Sequence, residues 1–201
     1  TTRLLQQQAD NDFPYRNARG EDLRQNNAAL QQKAILQEAY WKITPRQQIS
    51  ARIWWQQMQR EIPPTTVQSS SLAEQDDDIF RATLDWQYRT ASLTLQARSG
   101  LFRERIHFRD PTAGVDSPSA SLANINEAEA EWRFAERQRF NLGLHHTFTT
   151  ATTDGYPEGP TQQQFAILGG YHWRSANDRF QIHANARQGL VDGELIPFTT
   201  M

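Results

Sequence analysis

The sequence predicts an all-β protein, an up-and-down antiparallel transmembrane β-barrel wall supplying about eight or nine strands of a larger barrel, with residues 1–201 as one partial barrel domain. Three observations predict it. From about residue 31 the hydrophobic period is two rather than 3.6. Short and long connections alternate along the chain. Tryptophans recur just before the short connections.

The alternation is explicit. Ile49, Ala51, Ile53 and Trp55 interleave with Gln48, Ser50, Arg52 and Gln56. Phe80, Ala82, Leu84, Trp86 and Tyr88 interleave with Arg81, Thr83, Asp85, Gln87 and Arg89. Ala128, Ala130, Trp132 and Phe134 alternate with Glu127, Glu129, Glu131 and Arg133, and Phe140, Leu142 and Leu144 with Asn141, Gly143 and His145. Phe165, Ile167 and Tyr171 share a face, as do Phe180, Ile182, Ala184 and Ala186. A helix would scatter these charges around every side, whereas a strand sends alternate residues to opposite faces.

Short connections are expected near Thr44-Pro45-Arg46, Arg89-Thr90-Ala91, Ala135-Glu136-Arg137 and Ser175-Ala176-Asn177-Asp178. Long ones are expected near residues 9–28, 60–76, 109–123 and 151–161, which carry the Pro, Gly, Ser and Asp of irregular backbone. Tight turns at one end and long loops at the other are the habit of outer-membrane barrels. Trp41, Trp86, Trp132 and Trp173 each precede a short turn, so they form one aromatic girdle at a membrane interface. Strands of about ten residues, tilted by about 45°, rise roughly 24 Å, matching the apolar band of such barrels. The partner of the apolar face is then outer-membrane lipid, and the location the outer membrane of a Gram-negative bacterium. Two alternatives stay open: a passive porin, and a soluble β-barrel or β-sandwich that binds a small ligand with its aromatics inside.

Composition excludes other classes. The formal net charge is -2, which gives no basic surface for nucleic acid. There is no cysteine, hence no disulfide framework and no thiolate metal site. Mean hydropathy is -0.77, but six Trp, five Tyr and ten Phe argue against disorder. No run of 18 apolar residues provides a membrane helix, and the first residues do not read as a signal peptide.

Several clusters invite chemical readings. Glu127, Glu129 and Glu131 share one strand face, with Arg133 next, and read as a lumen ladder paired to basic residues rather than a catalytic cluster. Asp76-Asp77-Asp78 and Asp10-Asn11-Asp12 lack the spacing of a calcium loop and read as solvated acids, with loop calcium the alternative and no other cofactor expected. His145 and His146 must point to opposite faces, while His145, His172 and His183 are expected on the lumen face of successive strands without forming a metal site. No nucleophile elbow and no phosphate loop is present, so no enzyme and no catalytic residue is expected. Arg60-Glu61-Ile62-Pro63-Pro64-Thr65-Thr66 reads equally as a stiff vestibule rim and as a strand terminator.

Residues 9–17 (Ala-Asp-Asn-Asp-Phe-Pro-Tyr-Arg-Asn) and Ile53-Trp54-Trp55-Gln56 through Arg60-Glu61-Ile62-Pro63-Pro64-Thr65 carry a resemblance. Phe102-Arg103-Glu104, Phe108-Arg109-Asp110-Pro111 and Gly189-Leu190-Val191-Asp192-Gly193 before Pro197-Phe198 extend it over essentially the whole chain. In order and spacing these segments resemble the barrel of TonB-dependent outer-membrane receptors, notably the cobalamin- and siderophore-receptor-like members of Bacteroidetes; no single motif is diagnostic. The resemblance implies a small nutrient ligand, such as a siderophore or cobalamin, and uptake driven by the TonB complex through an N-terminal plug and TonB box. Neither of those, nor a closing C-terminal strand ending in an aromatic residue, is found, so the chain is expected to be a fragment. The expected ligand-binding residues, on loops and strand exits, are Phe13, Tyr15, Arg60, Phe102, Arg103, Asp110 and Tyr156.

Overall fold

The computed structural model describes residues 1–17, 20–65, 70–156 and 158–200, with residues 198–200 described by backbone alone. Thr66 and Met201 lie outside these residues. The chain runs through twelve strands: β1 (Thr2–Ala9), β2 (Pro14–Arg16), β3 (Asp22–Arg24), β4 (Leu30–Thr44), β5 (Gln47–Glu61), β6 (Glu74–Arg89), β7 (Leu93–Asp110), β8 (Val115–Ala135), β9 (Gln138–Thr152), β10 (Thr161–Arg174), β11 (Gln181–Val191) and β12 (Glu194–Thr200). Ten of them make one antiparallel sheet in the order β1-β4-β5-β6-β7-β8-β9-β10-β11-β12, and β2 and β3 form a separate small hairpin in the connection between β1 and β4. This is the all-β, up-and-down meander that the alternation predicts. The sheet is not closed on itself: among the described residues β1 pairs only with β4, and β12 only with β11.

The sheet holds ten strands rather than eight or nine. β1 and β12 are the additions, both at its edges. β1 reads Thr-Arg-Leu-Leu-Gln-Gln-Gln-Ala and has no clean period. Its strand state comes from continuous pairing with β4, from Thr2 opposite Gln37 to Ala9 opposite Leu30.

Register sorts the side chains into two faces. On one, Trp41, Ile49, Trp86, Ala97, Ala128 and Leu144 form a row of directly opposed residues across six strands. Toward the other end of the strands, Ile35, Trp55, Phe80, Arg103 and Leu122 form a second such row. The opposite face carries Glu38, Arg52, Asp85, Arg98, Glu127 and His145. Among the described residues the only buried hydrophobic side chains are Ala73 and Ala166, while Trp132 is 53% exposed and Phe140, Phe165 and Ile167 are each 43% exposed. A soluble sandwich of this length buries a core between two layers. Here one layer presents its large apolar groups outward.

The four short turns lie where expected, at Pro45-Arg46, Thr90–Ser92, Glu136-Arg137 and residues 175–180. At the other end the prediction of uniformly long loops is only partly met. Residues 10–29, 62–73 and 153–160 are long, but β7 and β8 are joined by Pro111–Gly114 and β11 and β12 by Asp192-Gly193. The expected 109–123 loop is therefore a four-residue turn followed by strand, since residues 115–123 pair continuously with β7 despite Pro118 and the run of Ser and Ala. Asp110 causes the tight turn: its Oδ1 accepts from the backbone N–H groups of Thr112 (3.0 Å) and Ala113 (3.2 Å). Gly114 then takes φ 66°, which an L side chain resists. Asp192 and Gly193, at φ 51° and 86°, make the two-residue hairpin turn that this dipeptide favours.

Strand stagger follows from the same register. Trp41 and Trp86 share a row, but Trp132 sits four residues beyond Ala128 in that row, opposite Phe140. Trp173, opposite Gln138, sits two residues further again. The aromatic line thus drifts six residues in the six steps from β4 to β10, or one per strand. At about 3.4 Å per residue and about 4.8 Å between strands, that is a tilt of about 35°, within the range of closed barrels. The apolar side chains from Phe140 to Phe148 and from Phe165 to Trp173 each cover an eight-residue rise. With that tilt the band is roughly 22 Å high, close to the hydrocarbon-facing band of membrane barrels.

Candidate functional site

The polar face carries the charged chemistry. Its middle is a ladder of ion pairs: Arg52 Nε lies 3.2 Å from Glu38, which Arg3 also approaches at 3.9 Å. Arg98 lies between Asp85 (3.5 Å) and Glu127 (3.6 Å), and His145 Nδ1 is 3.4 Å from Glu127. Thr147 Oγ1 is 2.8 Å from the other ring nitrogen of His145. These residues come together because β1 and β4 to β9 place them in neighbouring register, not because they are near in sequence. The predicted pairing of the glutamate ladder is seen in part: Glu131 pairs with Arg133 (3.2 Å) and Arg139 (3.7 Å), whereas Glu129 has no ion pair among the described residues. This part of the face opens onto a concavity of about 1110 Å³ lined by Gln96, Glu129, Glu131, Asn141 and Arg187.

Toward the long-loop end lies an aromatic and cationic patch. Arg81 stands directly opposite Trp54, its guanidinium 5.3 Å from the ring centroid, and donates from Nη2 to Glu104 at 2.7 Å. Arg81 Nε is buried and has no hydrogen-bond partner among the described residues. The Phe102 ring lies over Gly100, where an added Cβ would meet it at 2.7 Å. Met58, Ile79 and Ile106 share this end of the polar face, beside Asp77, which is 8% exposed and 3.9 Å from Arg60.

Beyond the Trp55–Phe80 row the other face also becomes charged. Lys33, Gln57, Asp78 and Arg105 form the next row, with His107 paired to Asp116 and Arg109 held by Asp76 (2.8 Å) and Glu74 (3.0 Å). A depression of about 890 Å³ opens there. Both faces of this end are polar, which marks the upper limit of the apolar band.

The residues expected to bind ligand are not brought together as one site. Phe13, Tyr15 and Tyr156 lie on the loop segments, exposed at 53%, 40% and 68%. Arg60 and Phe102 share the polar face. Phe102 and Arg103 are not at a loop or strand exit but inside β7, and they point to opposite faces, Arg103 standing in the apolar row with Phe80. Asp110 is occupied by its turn. Trp54, Arg81 and Glu104 carry the patch without having been singled out, and alternation alone could not find them because pairing partners are set by register.

The acidic runs are also placed. Asp76-Asp77-Asp78 is strand rather than loop, so Asp77 faces away from its neighbours and accepts from Gln75 at 2.6 Å. Asp12 is taken by Arg24 at 2.6 Å, a hydrogen bond that, with the attraction of the carboxylate, raises the guanidinium pKa. Among the described residues no three His, Asp or Glu side chains converge as a metal site. His172 and His183 lie side by side at 4.1 Å on the polar face, and His145 is on that face but opposite Ala166, away from them. His146 points to the other face, as adjacency requires.

On the apolar face one row breaks the pattern. Leu84, Ser99, Asn126, His146 and Phe165 are directly opposed across β6 to β10. Ser99 donates to Asn126 Oδ1 at 2.8 Å, Asn126 Nδ2 donates to Asn124 Oδ1 at 2.5 Å, and Asn124 Nδ2 to the Gly100 carbonyl at 3.1 Å.

Among solved structures the chain is similar to the ferric yersiniabactin uptake receptor FyuA from Yersinia pestis, with TM-score 0.62 and 13% sequence identity. The match covers 100% of this chain and 37% of that receptor's chain. No protein-family model matches the sequence, and no curated protein does. At this identity the likeness is one of fold: an antiparallel up-and-down sheet like the wall of a barrel receptor.

Proposed function

We propose that this chain is barrel wall of an outer-membrane receptor that takes up a scarce nutrient, such as a siderophore or cobalamin, with energy delivered through TonB. The observation that carries the reading is the two-faced single layer: tilted strands with a lipid-compatible band on one side, a charged ladder on the other and, among the described residues, no buried hydrophobic side chain larger than alanine. In hydrocarbon every backbone group must be paired, and a closed sheet is the β solution to that demand. The polar face then lines the lumen, where Trp54, Arg81, Phe102 and Arg60 offer ring faces and fixed cations to an anionic or aromatic cargo. Phe13, Tyr15 and Tyr156 are the loop aromatics that first meet it. Arg103 belongs instead at the outer rim of the lipid band, and Asp110 to turn geometry.

The test is to express the full-length protein and separate soluble, inner-membrane and outer-membrane pools. The reading expects heat-modifiable migration in the outer-membrane pool, and growth on a scarce chelate that stops when TonB is deleted. A soluble product would show that the apolar face is covered by protein, not lipid. Uptake indifferent to TonB would favour a passive pore.

A further inference from the structure

The strip formed by Ser99, Asn124, Asn126 and His146 lies at mid-height of the band: Asn126 is six residues above Trp132 and four below Leu122 on the same strand face. Polar side chains at that depth are costly in lipid and mark a place where something other than hydrocarbon is met. The hydrogen bonds within the strip satisfy it only in part. Each of the two asparagine amides spends one of its two N–H groups on the partner described above, and the His146 ring has no hydrogen bond or ion pair among the described residues. Acyl chains offer neither donor nor acceptor. On the short-turn side of the strip the side chains are small, with Ala97, Ala128 and Ala130 on the same face, while Leu84, Leu101, Phe148 and Phe165 border it elsewhere, so another backbone can come close beside the alanines.

We infer that this strip is the contact between two copies of the barrel, packed side by side in the membrane about a twofold axis normal to it. The inference rests on the membrane reading given above. Amides and imidazoles present donors and acceptors together, so the strip is complementary to itself, and a twofold contact places the same patch on both partners. Strands tilted by about 35° in each wall cross at about 70° when two barrels meet back to back, which confines the contact to a compact patch. The strip has that shape, three strands wide and centred on β8.

The test uses the full-length protein in native outer membranes. This segment contains no cysteine, so Ala128→Cys introduces one beside the strip, and Ile53→Cys one on the same face three strands away. Mild oxidation is expected to give a homodimer with Ala128→Cys, at least tenfold more than with Ile53→Cys. Adding Asn126→Leu is expected to remove most of that product while the barrel keeps its heat-modifiable migration, because leucine suits lipid. A heat-modifiable barrel with no Ala128→Cys dimer, or with equal dimer from both positions, would overturn the contact while sparing the membrane reading. Cross-linking to a different protein would overturn the second copy as the partner. A barrel absent from the membrane would remove both.

Discussion

Arg81 lies over Trp54 and reaches Glu104 across the next strand, so one guanidinium ties β5, β6 and β7 together on the polar face. The three residues are spread along the sequence, but Trp54 stands opposite Arg81, and Glu104 lies diagonally across, two residues along β7 from Phe102, the direct partner of Arg81. Because Arg81 and Glu104 are each 39% exposed, water screens their ion pair. A double-mutant cycle on Arg81→Ala and Trp54→Ala is expected to give a coupling of about 0.5–1 kcal/mol. Barrel stability should change little in either single variant, whereas ligand uptake should fall in both. Unfolding from bilayers and a transport assay read the two effects separately, and a loss confined to stability would remove this patch from the cargo path.

Neighbouring positions on β5 test which face meets lipid. Ile53→Arg places a charge within the apolar band and is expected to cost about 2–4 kcal/mol in bilayer unfolding. Arg52→Leu, on the other face, removes the half-exposed Arg52 from Glu38, which keeps Arg3 at 3.9 Å, and is expected to cost less than about 1 kcal/mol. Equal tolerance of both substitutions would invert the facing.

The turn between β7 and β8 makes a separate prediction. Gly114→Ala meets no steric obstacle, since nothing lies within 4 Å of an added Cβ, so its cost is that of the left-handed backbone, about 1–2 kcal/mol. Asp110→Ala removes two backbone hydrogen bonds and is expected to destabilise by about 1–3 kcal/mol, without changing ligand affinity. An affinity loss in Asp110→Ala at unchanged stability would return this residue to the binding surface.

Gly100→Ala pushes the Phe102 ring off its platform. The ring is the free end of a side chain, so the stability cost should stay near about 1 kcal/mol, the low end for overpacking. The Gly100→Ala, Phe102→Ala double variant should be less destabilised than the sum of the singles, since the clash is gone. Additive losses would show that the cost at Gly100 does not come from the Phe102 ring.

Much of this architecture could be read before any coordinates. Residues such as Phe80, Ala82, Leu84 and Trp86 declare their face because a strand has an exact period of two, and the tight turns at Pro45-Arg46 and Glu136-Arg137 interrupt it cleanly. β1 was hidden because Leu4-Leu5-Gln6-Gln7-Gln8 does not alternate, and its strand state is imposed by β4. The first part of β8 reads as loop because of its Ser, Pro and Ala, although Asp110-Pro111 with Gly114 signals a compact turn. The site was least legible. Pairs such as Arg98–Glu127 and Arg81–Glu104 depend on how far each hairpin is staggered, and that stagger is decided by turns and bulges summed over the sheet.

The one-residue drift per strand also governs bore. At a tilt of about 35°, each strand occupies roughly 5.9 Å of perimeter, so every added strand widens a ring by roughly 1.9 Å. Ten such strands closed on themselves would make a tube roughly 19 Å across between backbones, and the inward Arg, Glu and His side chains would fill most of it. A ring of 22 strands at the same tilt would be roughly 41 Å across, with room for a folded stopper and a chelate above it. On the proposed reading, the size of the cargo would be a matter of strand number, while the stagger built into these hairpins keeps the walls at one slope.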